Sequence, residues 1–452
     1  MKSTEINILS VSFSDSGGGA ANAAVRIQEG VNGLHTGIHS RMLVKEKQTV
    51  SDDILPLSAF LPDNGVYRVM DWVALKVKNK MQHARWRPYP QSRAYFLSDL
   101  RGTYLGGALQ KLDYQVLHLH WINNRFVKIE DLPTDKPIVW TLHDSWPFCG
   151  VCHYFFDCTR YQNQCGNCSM LESDNSNDLS HLIWANKKTI FESLDLHIVC
   201  PSRWLADCAS KSSLLQGCNI HVIPNCLNTE EFRPLLQSEI ETNISSFQIQ
   251  NEVVGRLLHQ LIEEKQHGKP IILFGAVNAT KDKIKGYSYL LSALQVLDKQ
   301  GFEANLMVFG ADAASLPMNF EHISVSFLGY VSDKNMLITL YNLADVMVVP
   351  SLTEVFGQTA SESMSCGTPV VAFRCTGIQD VVSKEGGYLA EPFSVEDLAA
   401  GIRSCIAHSE NWGASARQWV MEHYSLEIVG KQYCDLYNQI ASSHHGICME
   451  DQ

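Results

Sequence analysis

Two parallel-sheet α/β domains are what this sequence predicts, and three observations carry that expectation. A short apolar strand, a glycine turn and a helix succeed one another in the first forty residues; the same succession restarts near residue 269; and a polar, aromatic-poor stretch, 237–250, separates the two. A chain of 452 residues is also too long for one ordinary core.

In the first half, Ile6–Phe13 is a mostly apolar strand, followed by Ser14–Gly19 and an alanine-rich helix over Ala20–Val31. Gly17, Gly18 and Gly19 leave the backbone open to a close approach, and the helix start offers N–H groups to an anion or a sugar hydroxyl. The spacing is not that of a dinucleotide fingerprint, and Glu46, after the strand Ser40–Val44, is a poor ribose carboxylate. Val116–His120 and Ile138–Leu142 are compact buried strands. His143, just past the second, is the candidate site histidine, with Asp144 beside it to orient the ring. His118, inside its strand, reads as core.

Five cysteines lie together at Cys149, Cys152, Cys158, Cys165 and Cys168, next to His153. Two Cys-x2-Cys pairs supply enough thiolates for a tetrahedral zinc ion that would brace a loop without doing chemistry. Uncoordinated thiols and an iron–sulfur cluster are the alternatives. Fourteen scattered cysteines suit a reducing compartment better than a disulfide scaffold. After the helix Ile183–Ser193, the strand His197–Cys200, a further helix entered through Pro201–Ser202 and the strand Ile220–Ile223, the linker falls at Asn225–Pro234, with Leu235–His267 an insertion or a preface to the second domain.

There Pro270–Phe274 is the first strand, then Gly275, a loop with Lys281, Lys283 and Lys285, Gly286 and the helix Ser288–Leu297. The lysines would stand above the sheet, where phosphate can be held. The strands Leu306–Phe309 and Val325–Phe327, the turn Gly329–Tyr330, the helix Asp333–Asn342 and the strand Asp345–Val349 lead to Pro350–Gly357. A helix over Gln358–Cys366, the strand Val370–Phe373 and a second glycine turn at Thr376–Gly377 follow. Glu354 precedes that helix and Glu362 lies inside it. Two carboxylates, a glycine turn and a helix N-terminus at the ends of parallel strands make a polar pocket suited to a nucleotide-linked substrate. Glu391–Ile406 reads as an outer helix, Trp412–Tyr437 as largely helical, and the tail from Ser442 as frayed.

The totals narrow the classes. An apolar fraction of 45% can fill both cores, and a net charge of -12, from 48 acidic and 36 basic side chains, argues against nucleic acid as a partner. Against that background, 66–93 is locally basic and aromatic, with Arg68, Lys76, Lys78, Lys80, Arg85, Arg87 and Arg93 among Trp72, Trp86 and Tyr89. It is a candidate surface for an anionic acceptor or lipid headgroup, or an amphipathic helix with a solvated basic side. No apolar run is long enough to span a membrane, and Met1–Glu5 lacks the pattern of a signal peptide. The expected residence is the cytoplasm, at most at the inner face of the membrane.

The run Pro350–Ser351–Leu352–Thr353–Glu354–Val355–Phe356–Gly357–Gln358, with Glu362 and Cys366–Gly367–Thr368–Pro369–Val370–Val371, closely resembles the donor-site signature of the large retaining glycosyltransferase family of bacterial polysaccharide, mannosyl and glucosyl transferases. Gly17–Gly19, Thr141–Leu142–His143–Asp144, Val222–Ile223–Pro224–Asn225, Lys285–Gly286 and Gly377–Ile378–Gln379–Asp380 extend the resemblance over nearly the whole chain. Trp140–Cys168 is similar to a branch in surface-polysaccharide synthesis that carries a cysteine-rich insertion.

This resemblance implies the GT-B fold: two Rossmann-like lobes whose parallel sheets face a cleft. The acceptor-side lobe would be 1–228, with the insertion at 149–168, the donor lobe 229–424, and 425–452 a helix returning to the first lobe. It implies transfer from a nucleoside diphosphate sugar to a hydroxyl of a glycan or lipid-linked acceptor, with retained configuration and no cofactor for catalysis. Glu362 would bind the ribose, Glu354 the sugar hydroxyls and Lys285 the diphosphate, aided by N–H groups of Phe356, Gly357, Gln358 and Thr359 and by Gly18 and Gly19. Gly329 and Tyr330 would line the base pocket, and His143 would touch the donor sugar. Relatives commonly have an arginine where Ala276 stands here, so either Lys281 reaches in or Lys285 and the helix dipole carry the charge. They have a small residue at Cys149, which makes Cys152, Cys158, Cys165 and Cys168 the expected metal set. An epimerase of the same fold, a phosphorylase, and an inactive zinc-braced glycan-binding scaffold are the competing readings.

Overall fold

The computed structural model describes residues 5–60, 86–90, 105–311 and 319–450. The basic stretch 66–93 lies outside the described residues, apart from 86–90.

Contacts divide the chain into two compact units, Met1–Ile223 with Gly430–Gln452, and Pro224–Val429. Among the described residues the first holds seven strands, β1 (Ile6–Ser14), β2 (Ile38–Glu46), β3 (Ile54–Pro56), β4 (Val116–Leu119), β5 (Ile138–Thr141), β6 (Leu196–Cys200) and β7 (Asn219–Val222). They form one parallel sheet in the order β3-β2-β1-β4-β5-β6-β7. Its middle strands β4 and β5 are buried along their whole length, as a sheet covered on both faces requires. The helix α1 (Gly19–Gly33) buries Ala21, Ala23, Ala24, Ile27 and Val31; the three alanines let it lie close to the sheet.

The second unit repeats the plan with six strands, β8 (Ile271–Gly275), β9 (Ala304–Phe309), β10 (Ile323–Phe327), β11 (Val346–Val349), β12 (Val370–Phe373) and β13 (Gly387–Ala390). Again all pairs are parallel, in the order β10-β9-β8-β11-β12-β13. In both sheets the order turns back beside the first strand, between β1 and β4 and between β8 and β11. Loops leaving the carboxyl ends of strands diverge there, which is where open α/β sheets hold ligands.

Several expectations need correction. Of the two alternatives for 235–267, the insertion falls and the preface to the second domain stands: the helices Gln237–Gln250 and Glu252–Gln266 bury Ile240, Ile244, Leu258 and Leu261 in the second core. The helix expected over Trp412–Tyr437 is two, Ser409–Tyr424 and α2 (Leu426–Glu450), broken where Ser425 takes extended backbone. α2 continues through the tail expected to fray, and Gly430 packs so tightly on the Gly30 carbonyl of α1 that a Cβ there would collide with it. The units divide at Pro224 and Gly430 rather than after 228 and 424.

Candidate functional site

At the switch point of the second sheet, two loops are tied together. The β8 exit forms a short 3-10 turn, Lys283–Lys285, started by the Asp282 carboxylate, which accepts the Ile284 N–H at 3.0 Å. It ends at Gly286, whose φ is 71° and whose missing Cβ would drive into the Pro350 carbonyl. The Leu352 N–H donates to the Ile284 carbonyl at 2.8 Å. The two loops therefore approach closely only because residue 286 is glycine.

This arrangement brings Lys285 to Glu354, Nζ to Oε1 at 2.6 Å, each side chain about one-fifth exposed at 22% and 18%. Ser351 donates its hydroxyl to the same carboxylate oxygen at 3.0 Å. Backbone bonds hold Glu354 from the far side: its N–H donates to Thr376 Oγ1 at 3.0 Å, and its carbonyl accepts from Gly377 N–H at 2.8 Å. The Gly286 turn on one side and the Thr376–Gly377 turn on the other thus position this one carboxylate.

The helix α3 (Gln358–Ser365) follows at once, with Gly357 at φ 95° as its N-cap and no capping side chain. Its N-terminus has partial positive charge and N–H groups pointing out of the helix, an anion-binding arrangement. Gln358 and Thr359 are half-buried in its first turn. Phe356 differs from them, its ring being buried in the core against Tyr424 at 5.2 Å, so only its backbone can serve a ligand. Glu362 is buried at 5% exposure, one turn further along, and accepts the Tyr341 hydroxyl at 2.9 Å.

Tyr330 is largely exposed, and its hydroxyl donates to Asn278 on the β8 loop at 2.8 Å. Gly329 pairs with Ala311 in an isolated antiparallel bridge. Lys281 is exposed, closing a turn onto the Asn278 carbonyl through its backbone; Lys285, not Lys281, is the lysine at Glu354. A separate cavity of about 510 Å³ is lined by Glu231, Arg233, Glu239, Asn243 and Lys334 and contains none of these residues.

In the first unit Gly17 sits at φ 84°, which favours glycine, while Gly18 is an extended N-cap where a Cβ would meet nothing within 4 Å. Gly18 is therefore not demanded by packing. The Gly19–Gly33 helix begins directly after it.

At the end of β5 the outcome differs from expectation. Asp144 does not hold the His143 ring. Its carboxylate accepts from Trp121 Nε1 at 2.8 Å, from the Trp146 N–H at 2.9 Å and from His153 Nδ1 at 2.6 Å. Burial raises its pKa, but His153 and these donors outweigh it and hold the carboxyl below its ordinary value. The partner of His143 is His120, Nδ1 to Nε2 at 3.1 Å with the rings stacked. Burial pushes His143 down to about 4, which Asp144 only partly opposes, so the ring is neutral near pH 7. His120 went unassigned from sequence. Its signal was the alternation His118-x-His120, which puts two rings on one face of β4.

The cysteine segment is packed beneath the helix Leu179–Phe191. The Asp178 carboxylate accepts from Cys168 N–H at 2.8 Å and caps the helix through the N–H groups of Ser180 and His181. From that helix the fully buried Lys187 donates to the carbonyls of Trp146, Cys149 and Gly150, the last two at 2.9 and 3.0 Å. Burial lowers its pKa to about 7. Cys149, Cys152 and Cys168 are buried, and Cys165 Sγ accepts the Gly150 N–H at 3.2 Å. Cys149, left out of the expected ligand set, is thus as deeply placed as its neighbours. The donors are chemically suited to zinc, but among the described residues no three His, Cys, Asp or Glu side chains stand close enough to hold a metal ion.

Two family comparisons fit this geometry. Residues 268–408 match the model described as "Glycosyl transferases group 1", and residues 71–231 match "Glycosyltransferase Family 4". Both matches are to glycosyltransferase models, one in each half of the chain. Among similar proteins, WcaC of Escherichia coli (strain K12), named as a glycosyl transferase of colanic acid biosynthesis, is 26% identical over 288 residues, 61% of this chain and 62% of WcaC. CapM of Staphylococcus aureus, named as a capsular polysaccharide biosynthesis glycosyltransferase, is 25% identical over 211 residues, 44% of this chain and 53% of CapM. These matches span less than two thirds of either relative's length.

Solved structures extend the likeness of fold over nearly the whole chain. The sucrose-phosphate synthase of Thermosynechococcus elongatus superposes with a TM-score of 0.59 at 18% identity, covering 97% of this chain and 100% of that one. Anabaena HepE, solved with UDP and glucose, gives 0.56 at 14% identity, covering 95% and 99%. These likenesses support the two-sheet GT-B class. Among the described residues no helix is long and apolar enough to cross a membrane.

Proposed function

We propose that this protein is a retaining glycosyltransferase that moves a sugar from a nucleoside diphosphate to a hydroxyl of a glycan or lipid-linked acceptor in surface-polysaccharide synthesis. The observation that carries this is the Lys285–Glu354 contact at the switch point of the second sheet, beside the glycine-capped start of α3. A cation, a carboxylate and oriented N–H groups at one strand end match a sugar diphosphate group by group. The names of WcaC and CapM support the polysaccharide class, and the UDP and glucose in HepE support a nucleotide-sugar donor.

In this reading the C1–oxygen bond to the diphosphate breaks while the acceptor oxygen bonds to C1 on the same face, and the acceptor proton passes to the departing phosphate oxygen. Lys285 and the α3 N–H groups stabilise the negative charge growing on the diphosphate. Glu354 takes the sugar hydroxyls and steadies the positive charge on the ring. Glu362, fixed by Tyr341, takes the ribose, Tyr330 and Gly329 border the base, and His143 contacts the sugar. The basic stretch 66–93 is the surface assigned to an anionic or lipid-linked acceptor. A zinc ion held by the cysteine segment would brace the loop beneath the Asp144 end of β5, its ligands drawn from Cys152, Cys158, Cys165 and Cys168, with Cys149 an equal candidate by burial.

The test is a panel of uridine and guanosine diphosphate sugars, first by thermal stabilisation and then by turnover with glycan acceptors, the anomeric configuration of the product being read by NMR. A nucleoside diphosphate that stabilises the fold, and a product of retained configuration, are expected. Conversion of the donor to its epimer without acceptor, inversion, or no stabilisation by any nucleotide would overturn the reading.

A further inference from the structure

A buried polar chain runs behind His143. The strand β4 places His118 and His120 on one face, their rings 4.1 Å apart, with exposures of 0% and 2%. From α2, the Tyr437 hydroxyl meets His118 Nδ1 at 2.7 Å; His118 Nε2 meets Thr141 Oγ1 at 2.8 Å; and Thr141 meets the Tyr433 hydroxyl at 2.9 Å. Both nitrogens of His118 are thus satisfied. His120 differs: its Nδ1 lies 3.1 Å from His143 Nε2, while its Nε2 is buried without a hydrogen-bond partner among the described residues.

That difference decides which way the contact between His120 and His143 points. Burial lowers the pKa of both rings, so near pH 7 each is neutral and carries one proton. If His143 were the donor, through Nε2–H, the single proton of His120 would sit on its Nε2. That would leave an N–H in the core without an acceptor, the costlier kind of orphan and a rare one. If His120 donates from Nδ1–H instead, its buried Nε2 is a bare lone pair. The proton of His143 must then be on Nδ1, because its Nε2 is accepting. His143 is half-buried, so Nδ1 is the ring nitrogen left for a ligand.

We infer that His120 is a positioning residue that locks His143 in its Nδ1–H tautomer, so that His143 offers a ligand oxygen a hydrogen-bond donor rather than a basic lone pair. Resting on the sugar-transfer reading above, this makes His143 a donor to a sugar hydroxyl oxygen and removes it as the base that would take the acceptor proton. The preference of a free histidine in water is the opposite tautomer, Nε2–H, so the lock has a consequence that can be observed.

The experiment uses the full chain with 15N-labelled histidine, reading ring tautomers from long-range proton–nitrogen correlations near pH 7.5, with the His143 signals assigned by their loss in His143→Gln. Native protein should show His143 protonated on Nδ1. His120→Phe should move that proton to Nε2, and His120→Asn, whose side-chain amide places an N–H where Nδ1–H stood, should restore the native state. Turnover should fall between about ten- and a hundredfold in His120→Phe, with KM changed far less, and recover in His120→Asn. An Nε2–H tautomer in the native chain, or one unchanged in His120→Phe, overturns the inference; should His120→Phe not fold, the native spectrum and His120→Asn decide alone. The spectra need no donor, so failure of the transfer assay with an intact tautomer lock would count against the sugar-transfer reading only.

Discussion

Replacing Lys285 by alanine separates a catalytic cation from a structural one. The ammonium lies 2.6 Å from Glu354, with both side chains about one-fifth exposed at 22% and 18%. At an effective dielectric of about 20 the gross attraction is about 6 kcal/mol, most of it offset by desolvation. What remains for the fold is about 1 kcal/mol, because Glu354 keeps Ser351 and partial solvation when the lysine is gone. That predicts a Tm lower by about 2–4 °C in a unit of this size. In the proposed transfer the leaving diphosphate would keep the α3 N–H groups but lose its cation, and removing one aimed donor from a developing oxyanion costs about 3–4 kcal/mol, or 10²–10³ in kcat. Steady-state kinetics at saturating donor measures kcat, and thermal shifts with a nucleoside against its diphosphate measure where the binding is lost. Lys285→Ala should keep the nucleoside shift and lose most of the added shift from the diphosphate. A kcat within threefold of the parent, with an unchanged diphosphate shift, would refute the assignment.

Gly286→Ala should destabilise the fold by about 2 kcal/mol or more, because φ is 71° and its Cβ meets the Pro350 carbonyl, whereas Gly329→Ala, at the same φ with open space, should cost only about 1 kcal/mol; equal midpoint shifts in urea would refute the steric argument. Burial holds the folded pKa of His118 at about 3, of His143 at about 4 and of His120 well below the ordinary value of about 6.5. The unfolded chain therefore binds more protons, so stability is complete above about pH 6.5 and falls as the pH drops towards those values. Each ring contributes up to about 2 kcal/mol of that loss between pH 6.5 and 5. Urea unfolding across this range tests it, with a shallower slope expected for His120→Phe and a flat parent profile counting against buried neutral rings. Elemental analysis of protein purified without added metal decides the proposed zinc: about one ion per chain, lost in Cys168→Ser, is what the proposal requires, and no stoichiometric metal would remove it, in line with the absence of three converging ligands among the described residues.

The parts of the fold that were legible in sequence are those where local chemistry and tertiary role coincide. β8 and β11 are apolar runs ending at glycine or proline, and Lys285 and Glu354 sit in the loops that leave them, so strand ends placed both above the sheet and the family resemblance singled them out. β13 was missed because Gly387–Ala390 is four residues long, begins with glycine and carries no alternation; it is a strand because β12 offers it a parallel edge. The stretch 235–267 stayed open between insertion and preface for a related reason. Most of its residues are polar, yet Ile240, Ile244, Leu258 and Leu261 fall on the inner faces of two helices, a selection that composition does not reveal.

The site in the first unit shows a sharper limit. Asp144 follows His143 directly, and adjacency suggested that the acid serves the base. Both residues lie past the end of β5, where the chain bends, and their side chains part. Asp144 turns to Trp121 and His153, while His143 turns to a residue of the neighbouring strand. The pairing of β4 with β5 in parallel register, Leu119 opposite Trp140, is what brings 120 near 143, and no local spacing in the sequence contains that register. The same holds for α2, whose Tyr433 and Tyr437 look like an aromatic packing stripe until their hydroxyls are seen to close the hydrogen-bond chain through Thr141 and His118. Residue types that could do chemistry were visible from the start; which of them face one another follows from sheet order, so the roles of His120 and Asp144 became readable only with the topology.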